Sequence, residues 1–299
     1  MTERLNFTPT RIDSGDWGNV IIGSLGEVLR EVDGEILHPT VRPFPMATTS
    51  GVVINDYWVA TWVDHELQIA KMAALSLKEE WRNGPKRSML RKGAIYSSSI
   101  EPETSKWSQT LNSEPMALSV SGNDFFFGIL GRGIYKMNSE SNEIWRSPIP
   151  NKPGNQFTNR PEKIISIFEN NNDLHVFFEN NWLAILKADD GSFIRSLELN
   201  LPEKIQAVFE GDDDYLISLN TGNIVIIENI DSEPQIYSTP GPVLAAKKTE
   251  ESWIWTGWRH DGKLVNKVVK CITRPDIGVA FIGNNVLSND GIISSHKNS

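Results

Sequence analysis

Apolar and polar residues alternate in short runs along most of this chain, the period-2 pattern of half-buried β-strands. The clearest copy is Gly122 to Pro148, GNDFFFGILGRGIYKMNSESNEIWRSP. It reads as two strands joined by a Gly-Arg-Gly turn, then a polar turn and a shorter strand ending on Trp145. Fainter copies recur. Each opens on an alternating apolar strand, passes an Asn/Asp/Glu turn into an aromatic-rich strand, and turns again on Gly or Asn into a third. Many add a short fourth strand, with ends aligned on Trp81-Arg82-Asn83, Trp145-Arg146-Ser147, Ile194-Arg195-Ser196 and Ile236-Tyr237-Ser238. Helical periodicity is nearly absent. Met72 to Trp81 has some, but its place in the repeat assigns it to strand and turn.

Third strands begin near Glu27, Leu67, Gly133, Trp182, Asn223 and Lys263, at steps of about 40, 66, 49, 41 and 40 residues. A period near 40 with four short strands predicts an all-β fold, a single β-propeller of four-stranded antiparallel blades over residues 1–299. The long step marks an inserted inter-blade segment at about 84–113, basic at first (Lys86, Arg87, Arg91, Lys92), read as an extended connection with room for a strand pair. Pro150 to Pro161 reads as a loop between blades. Residues 277–295 resemble an incomplete blade, and pairing the two termini within it would remove unpaired strand edges. Seven blades are favoured over six.

Gly133-Ile134-Tyr135-Lys136-Met137-Asn138 leading to Trp145, and Trp182 to Gly191 (WLAILKADDG), resemble the repeats of PQQ-like, quinoprotein-type β-propellers. WD40 propellers share the period, but no Trp-Asp pair closes a blade here. Family members that bind the quinone are periplasmic, with a signal peptide, calcium ligands and often adjacent cysteines. This chain has neither that leader nor vicinal cysteines. The resemblance therefore implies the fold and a binding or scaffold role, and not a dehydrogenase.

Composition narrows the partners. The net charge of −9 argues against a general phosphate-binding surface, so no nucleic acid is expected. Ten Trp and twelve Phe supply much of the core's apolar mass. Cys271 is the single cysteine, which excludes an internal disulfide and cysteine-based zinc clusters. The N-terminus lacks the apolar centre of a signal peptide, and no apolar run is long enough to span a membrane. A cytoplasmic protein with no membrane association is expected.

Blade geometry sorts the loops onto two faces. First-to-second turns carry Asp56, Asp124, Asp173, Asp212, Asp213, Asp214, Glu250 and Glu251, which predicts an acidic face. It reads either as ordinary Asp/Asn turn chemistry or as a docking surface for a basic partner or a cation. The opposite face gathers Asp64, His65, Glu66, Arg132, Asn180, Asn181, Thr221, Arg259, His260 and Asp261 from second-to-third turns. These are exposed turn residues, or they converge at the channel mouth for acid–base chemistry or anion recognition. Trp62 and Trp258, beside those turns, read as core packing or as a stacking platform. No two histidines have metal-ligand spacing, and Asp212-Asp213-Asp214 lacks a calcium loop's alternation, so no metal and no cofactor are expected. Gly128, Gly131 and Gly133 lie in a strand–turn–strand rather than before a helix, and no catalytic motif is recognisable. Two functions follow: a non-catalytic scaffold or binding module for a protein partner, or an enzyme or small-molecule binder with its pocket at the channel mouth.

Overall fold

A computed structural model describes residues 4–32, 34–93, 101–154, 161–250 and 252–297. Glu251, the side chain of Lys92, residues 94–100 of the insertion and 155–160 of the inter-blade loop lie outside the described residues.

The alternating runs form seven antiparallel sheets. Blade one holds β1 (Pro9–Gly15), β2 (Gly18–Gly23), β3 (Val28–Val32) and β4 (Glu35–Val41). Blade two holds β5 (Thr48–Ile54), β6 (Tyr57–Asp64) and β7 (Ile69–Ser76), then helix α1 (Arg87–Gly93) within a long connection, then β8 (Ser105–Leu111). Blade three is β9 (Pro115–Ser121), β10 (Asp124–Ile129), β11 (Gly133–Asn138) and β12 (Glu143–Ser147). Blade four is β13 (Ile164–Asn170), β14 (Asp173–Phe178), β15 (Trp182–Lys187) and β16 (Phe193–Glu198). Blade five is β17 (Ile205–Glu210), β18 (Tyr215–Leu219), β19 (Asn223–Ile227) and β20 (Gln235–Ser238). Blade six is β21 (Val243–Lys248), β22 (Trp253–Gly257), β23 (His260–Val265) and β24 (Val268–Thr273). Blade seven has three strands, β25 (Gly278–Ile282), β26 (Asn285–Ser288) and β27 (Ile293–Ser295). At its open edge Arg4 bridges Ile292, and the Leu5 N–H donates to the Gly291 carbonyl at 3.0 Å. The N-terminal segment thus supplies the pairing a fourth strand would give.

The first strands of successive blades touch one another around a closed ring and line the central channel. In every blade the pairing of first and second strands shifts near the start of the first strand, as between Pro9 and Arg11 or Val243 and Ala245. A bulge there bends the inner strand and strengthens its twist. Seven repeats of the same distortion shape the channel wall at the end facing the second-to-third turns.

Apolar clusters fill the seams between blades. Val20, Phe44, Trp58 and Leu75 join blades one and two, and Phe177, Tyr215 and Ile217 join four and five. Leu5, Ile21, Val279 and Leu287 close the ring between seven and one. The seam between blades six and seven is different. Among the described residues it is held by a buried polar network centred on Arg274 and Asp261, whose side chains are 3% and 0% exposed.

Two expectations are corrected. Trp81-Arg82-Asn83 does not end a fourth strand, because β8 takes that place. The connection after β7 instead runs as a strap over the seam of blades one and two. Trp81 stacks on Trp58 with centroids 5.3 Å apart, and Arg30 donates to the Leu77 carbonyl at 2.7 Å. The Gly84 N–H donates to the Arg42 carbonyl at 2.8 Å, and the Arg42 N–H to Asn83 Oδ1 at 2.8 Å. Secondly, the described part of the basic run is helix α1 and not a loop or strand pair, anchored by the fully buried Leu90.

Candidate functional site

The first-to-second turns do not present a bare acidic face. Lys78 pairs with Asp56 at 3.0 Å, Lys136 with Asp124 at 3.6 Å and Lys187 with Asp173 at 2.7 Å. Each lysine comes from the end of its own blade's third strand or just beyond it. Lys248 pairs with Asp214 from the next blade. The predicted acidity is thus largely neutralised within the repeat. Where Asp212 and Glu250 remain, they line a cavity of about 720 Å³ with Lys247, whose ammonium is pushed down in pKa by burial.

On the channel wall nearby, Glu210 ends β17. The residue is exposed, and partial desolvation by the surrounding chain pushes its carboxyl up to about 7. Between its ordinary value and 7, the folded chain holds a proton the unfolded chain has lost. Glu210 therefore favours folding at low pH, and that contribution disappears as pH rises through 7. Burial lowers the pKa of His175 and His260, so their linkage runs the other way. Urea titrations between pH 5 and 7.5 should show Glu210→Gln losing the part of the slope that falls with rising pH. An unchanged slope would contradict this environment.

The opposite face is built by the second-to-third turns. Asp64 ends β6 with its side chain fully buried; Arg87 Nε donates to its Oδ2 at 2.8 Å and the Leu67 N–H to its Oδ1 at 3.1 Å. Those bonds, led by Arg87, hold the Asp64 carboxyl below its usual range. Exposed Glu66 accepts from Arg87 at 2.7 Å and from Arg91, and both arginines depress its carboxyl. His65 is exposed beside a cavity of about 400 Å³ between blades two and three. Arg132 is exposed on its hairpin turn. Asn181 is left-handed, with φ 63°, and donates to the Leu201 carbonyl at 3.2 Å.

Besides Asp64, three sequence-predicted positions turn inward. Trp62 is 1% exposed and packs in the seam of blades one and two, so it offers no stacking face. His260 and Asp261 are not turn residues. The turn is Trp258-Arg259, with Arg259 at φ 59°, and β23 begins at His260. The His260 ring, 1% exposed, shares a hydrogen bond with the Trp258 carbonyl at 3.1 Å. Asp261 belongs to the polar seam. Trp258 is 56% exposed, with its Cβ packed close to Gly241, where an added Cβ would lie 3.1 Å away.

The structure therefore joins Asp64 and Glu66 to each other through Arg87, and sets Trp258 beside Arg259. It does not assemble His65, Arg132, Arg259 and His260, which share no hydrogen bond or ion pair and come from blades two, three and six. Among the described residues no group of three or more His, Cys, Asp or Glu could hold a metal, and no helix is long and apolar enough to cross a membrane.

Sequence reasoning missed a groove on this face. It lies between the β2–β3 turn, the β4–β5 connection and the strap, and it holds about 430 Å³. Leu25, 69% exposed, stands beside it, Phe44 and Pro45 form its floor, and Arg42, Lys86 and Arg87 line its edge. The available signal was Arg87 and Arg91 at helical i,i+4 spacing, which puts both on one face.

Many solved structures are similar to this chain, and three of them illustrate the likeness. BamB from Moraxella catarrhalis is 11% identical, with 95% of this chain and 83% of that one covered and a TM-score of 0.58. The WD40 β-propeller domain of Doa1 is 11% identical, covering 98% and 94%, with a TM-score of 0.64. The β-propeller domain of Cps50 (Swd1) from Myceliophteria thermophila is 10% identical, covering 98% and 97%, with a TM-score of 0.66. No family model matches the chain, and no curated protein matches it in sequence. At these identities the likeness lies in the propeller fold, on both PQQ-like and WD40 sides.

Proposed function

We propose that this chain is a non-catalytic protein-interaction module, a propeller of degenerate PQQ-like repeats that docks a protein partner on its second-to-third-turn face. The observation that carries it is the exposure of Trp258 at 56% and Leu25 at 69% on that one face. Trp beside Arg is the composition of interface anchors. Arg259 follows Trp258, and its left-handed turn holds the indole outward. The other face carries lysine–aspartate pairs, and its one large apolar tip among the described residues, Trp17 at 49%, lies under the Lys78 ammonium at 4.3 Å.

Affinity capture from native lysate tests this. The full chain should retain specific protein, and Trp258→Ala should weaken that retention by about 2 kcal/mol, roughly thirtyfold. Ile144→Ala on the outer rim should retain it unchanged. Recovery of the unsubstituted chain only as a monomer across several salt concentrations would overturn the reading.

A further inference from the structure

We infer that the groove between the Leu25 turn and the strap binds an extended peptide of a partner protein that carries an apolar side chain flanked by carboxylates. This rests on the proposed docking face and names the chemistry one part of it selects.

The argument is charge placement. Two of the three carboxylates that engage the groove's arginines, Glu27 and Asp64, are turned into the protein, while the third, Glu66, is exposed and meets Arg87 at 2.7 Å. Glu27 has a side chain 11% exposed and accepts from the Leu25 N–H at 2.9 Å and from Arg42. Asp64 is fully buried behind Arg87. Each carboxylate engages one edge of a guanidinium, and the arginines stay about half exposed, at 53% for Arg42 and 49% for Arg87. Guanidiniums have five donors, so N–H groups remain for an outside acceptor. Lys86 is exposed at the same edge and forms no ion pair among the described residues. Exposed Glu66 lies beyond Arg87 and is not part of the groove lining. A cationic rim therefore surrounds an apolar floor of Phe44 and Pro45, on a chain whose net charge is −9.

The groove is also preformed and continues. Reciprocal bonds of Arg42 with Asn83 and Gly84 fix one wall against the other, so little ordering is left to binding. Arg87 also lines a second cavity of about 280 Å³ with Leu67, Ser88 and Arg91 along α1. An extended strand could lay one carboxylate at Arg42 and Lys86, its apolar side chain over Phe44, and another carboxylate at Arg87 and Arg91 in place of the exposed Glu66. Arginine recognises carboxylates by paired hydrogen bonds, and the apolar contact adds what a bare anion lacks.

Fluorescence anisotropy with a labelled twelve-residue peptide of alternating Asp and Leu tests this, beside an Asn/Leu peptide and an oligoglutamate of equal length. The Asp/Leu peptide should bind the full chain with a Kd that rises with salt. Arg42→Gln with Lys86→Gln should weaken binding at least about tenfold, as should Leu25→Asp, a change at a solvent-exposed turn. Arg146→Gln, on the outer strand β12, should leave it unchanged, with circular dichroism of all variants alike. Equal binding of the Asn/Leu peptide or of the oligoglutamate, indifference to both groove substitutions, or no binding would each overturn the inference. If the groove fails while Trp258→Ala still abolishes capture, the docking face stands without it.

Discussion

Replacing Arg274 with methionine is expected to cost about 3–5 kcal/mol of folding stability, read as a fall in the urea midpoint at constant slope. Arg274 Nη1 donates to Asp261 Oδ2 at 2.6 Å, and Nη2 donates to Ser294 Oγ at 2.7 Å and Ser288 Oγ at 3.1 Å. Asp261 also accepts from Thr256 Oγ1 at 2.8 Å and from the Lys297 N–H at 2.9 Å. The network thus clamps blade six to blade seven and to the C-terminal segment. Methionine keeps much of the packing but leaves the Asp261 carboxylate buried without its counter-charge, and that is the expensive step. The double variant Arg274→Met with Asp261→Leu should be less destabilised than the sum of the single variants, because no charge remains buried. Single losses below about 1 kcal/mol would mean the seam is wet and the clamp weak.

Trp58 is the second position with a large expected effect. It is fully buried, stacks on Trp81 of the strap, and donates from Nε1 to Asp13 Oδ2 in blade one at 2.8 Å. Trp58→Phe retains most of the packing but loses a hydrogen bond to a charged acceptor, with an expected cost of about 1.5–3 kcal/mol. Trp58→Ala adds a cavity and should cost about 3–5 kcal/mol. Because the strap rests on this ring, Trp58→Ala should also speed proteolytic cleavage within 77–91 before global unfolding. Cleavage at the unsubstituted rate would show that Trp81 is held by other contacts. The same tie appears between blades five and six, where Trp253 Nε1 donates to Asp214 Oδ2 at 2.8 Å.

Much of the fold was legible because it is written in local alternation. Gly122 to Pro148 predicts β10, β11 and β12, and its Gly131 has φ 68°, as the hairpin requires. The errors also have local causes. The turn expected over Arg259, His260 and Asp261 ends at Arg259, and β23 runs on through Gly262, a strand glycine whose missing side chain makes room for Trp255, since a Cβ there would lie 2.2 Å from the indole. Trp81 had the spacing of a fourth-strand end, and an insertion shifted the true one to β8. Leu25 was passed over because a lone apolar residue in a Ser/Gly turn carries no pattern.

The sequence by itself determined the strands, most of their turns and the seven-blade repeat, because each depends on residues a few positions apart. Tertiary structure decided which charges remain available. Asp64 meets Arg87, Asp261 meets Arg274, and the turn aspartates meet their lysines only once the sheets are paired and the ring is closed. It also decided that one seam is polar while the others are apolar, and that Leu25, Arg42 and Lys86, distant along the chain, share one groove. Alternation fixes which side of a strand a residue takes. Only packing of whole blades fixes what it faces.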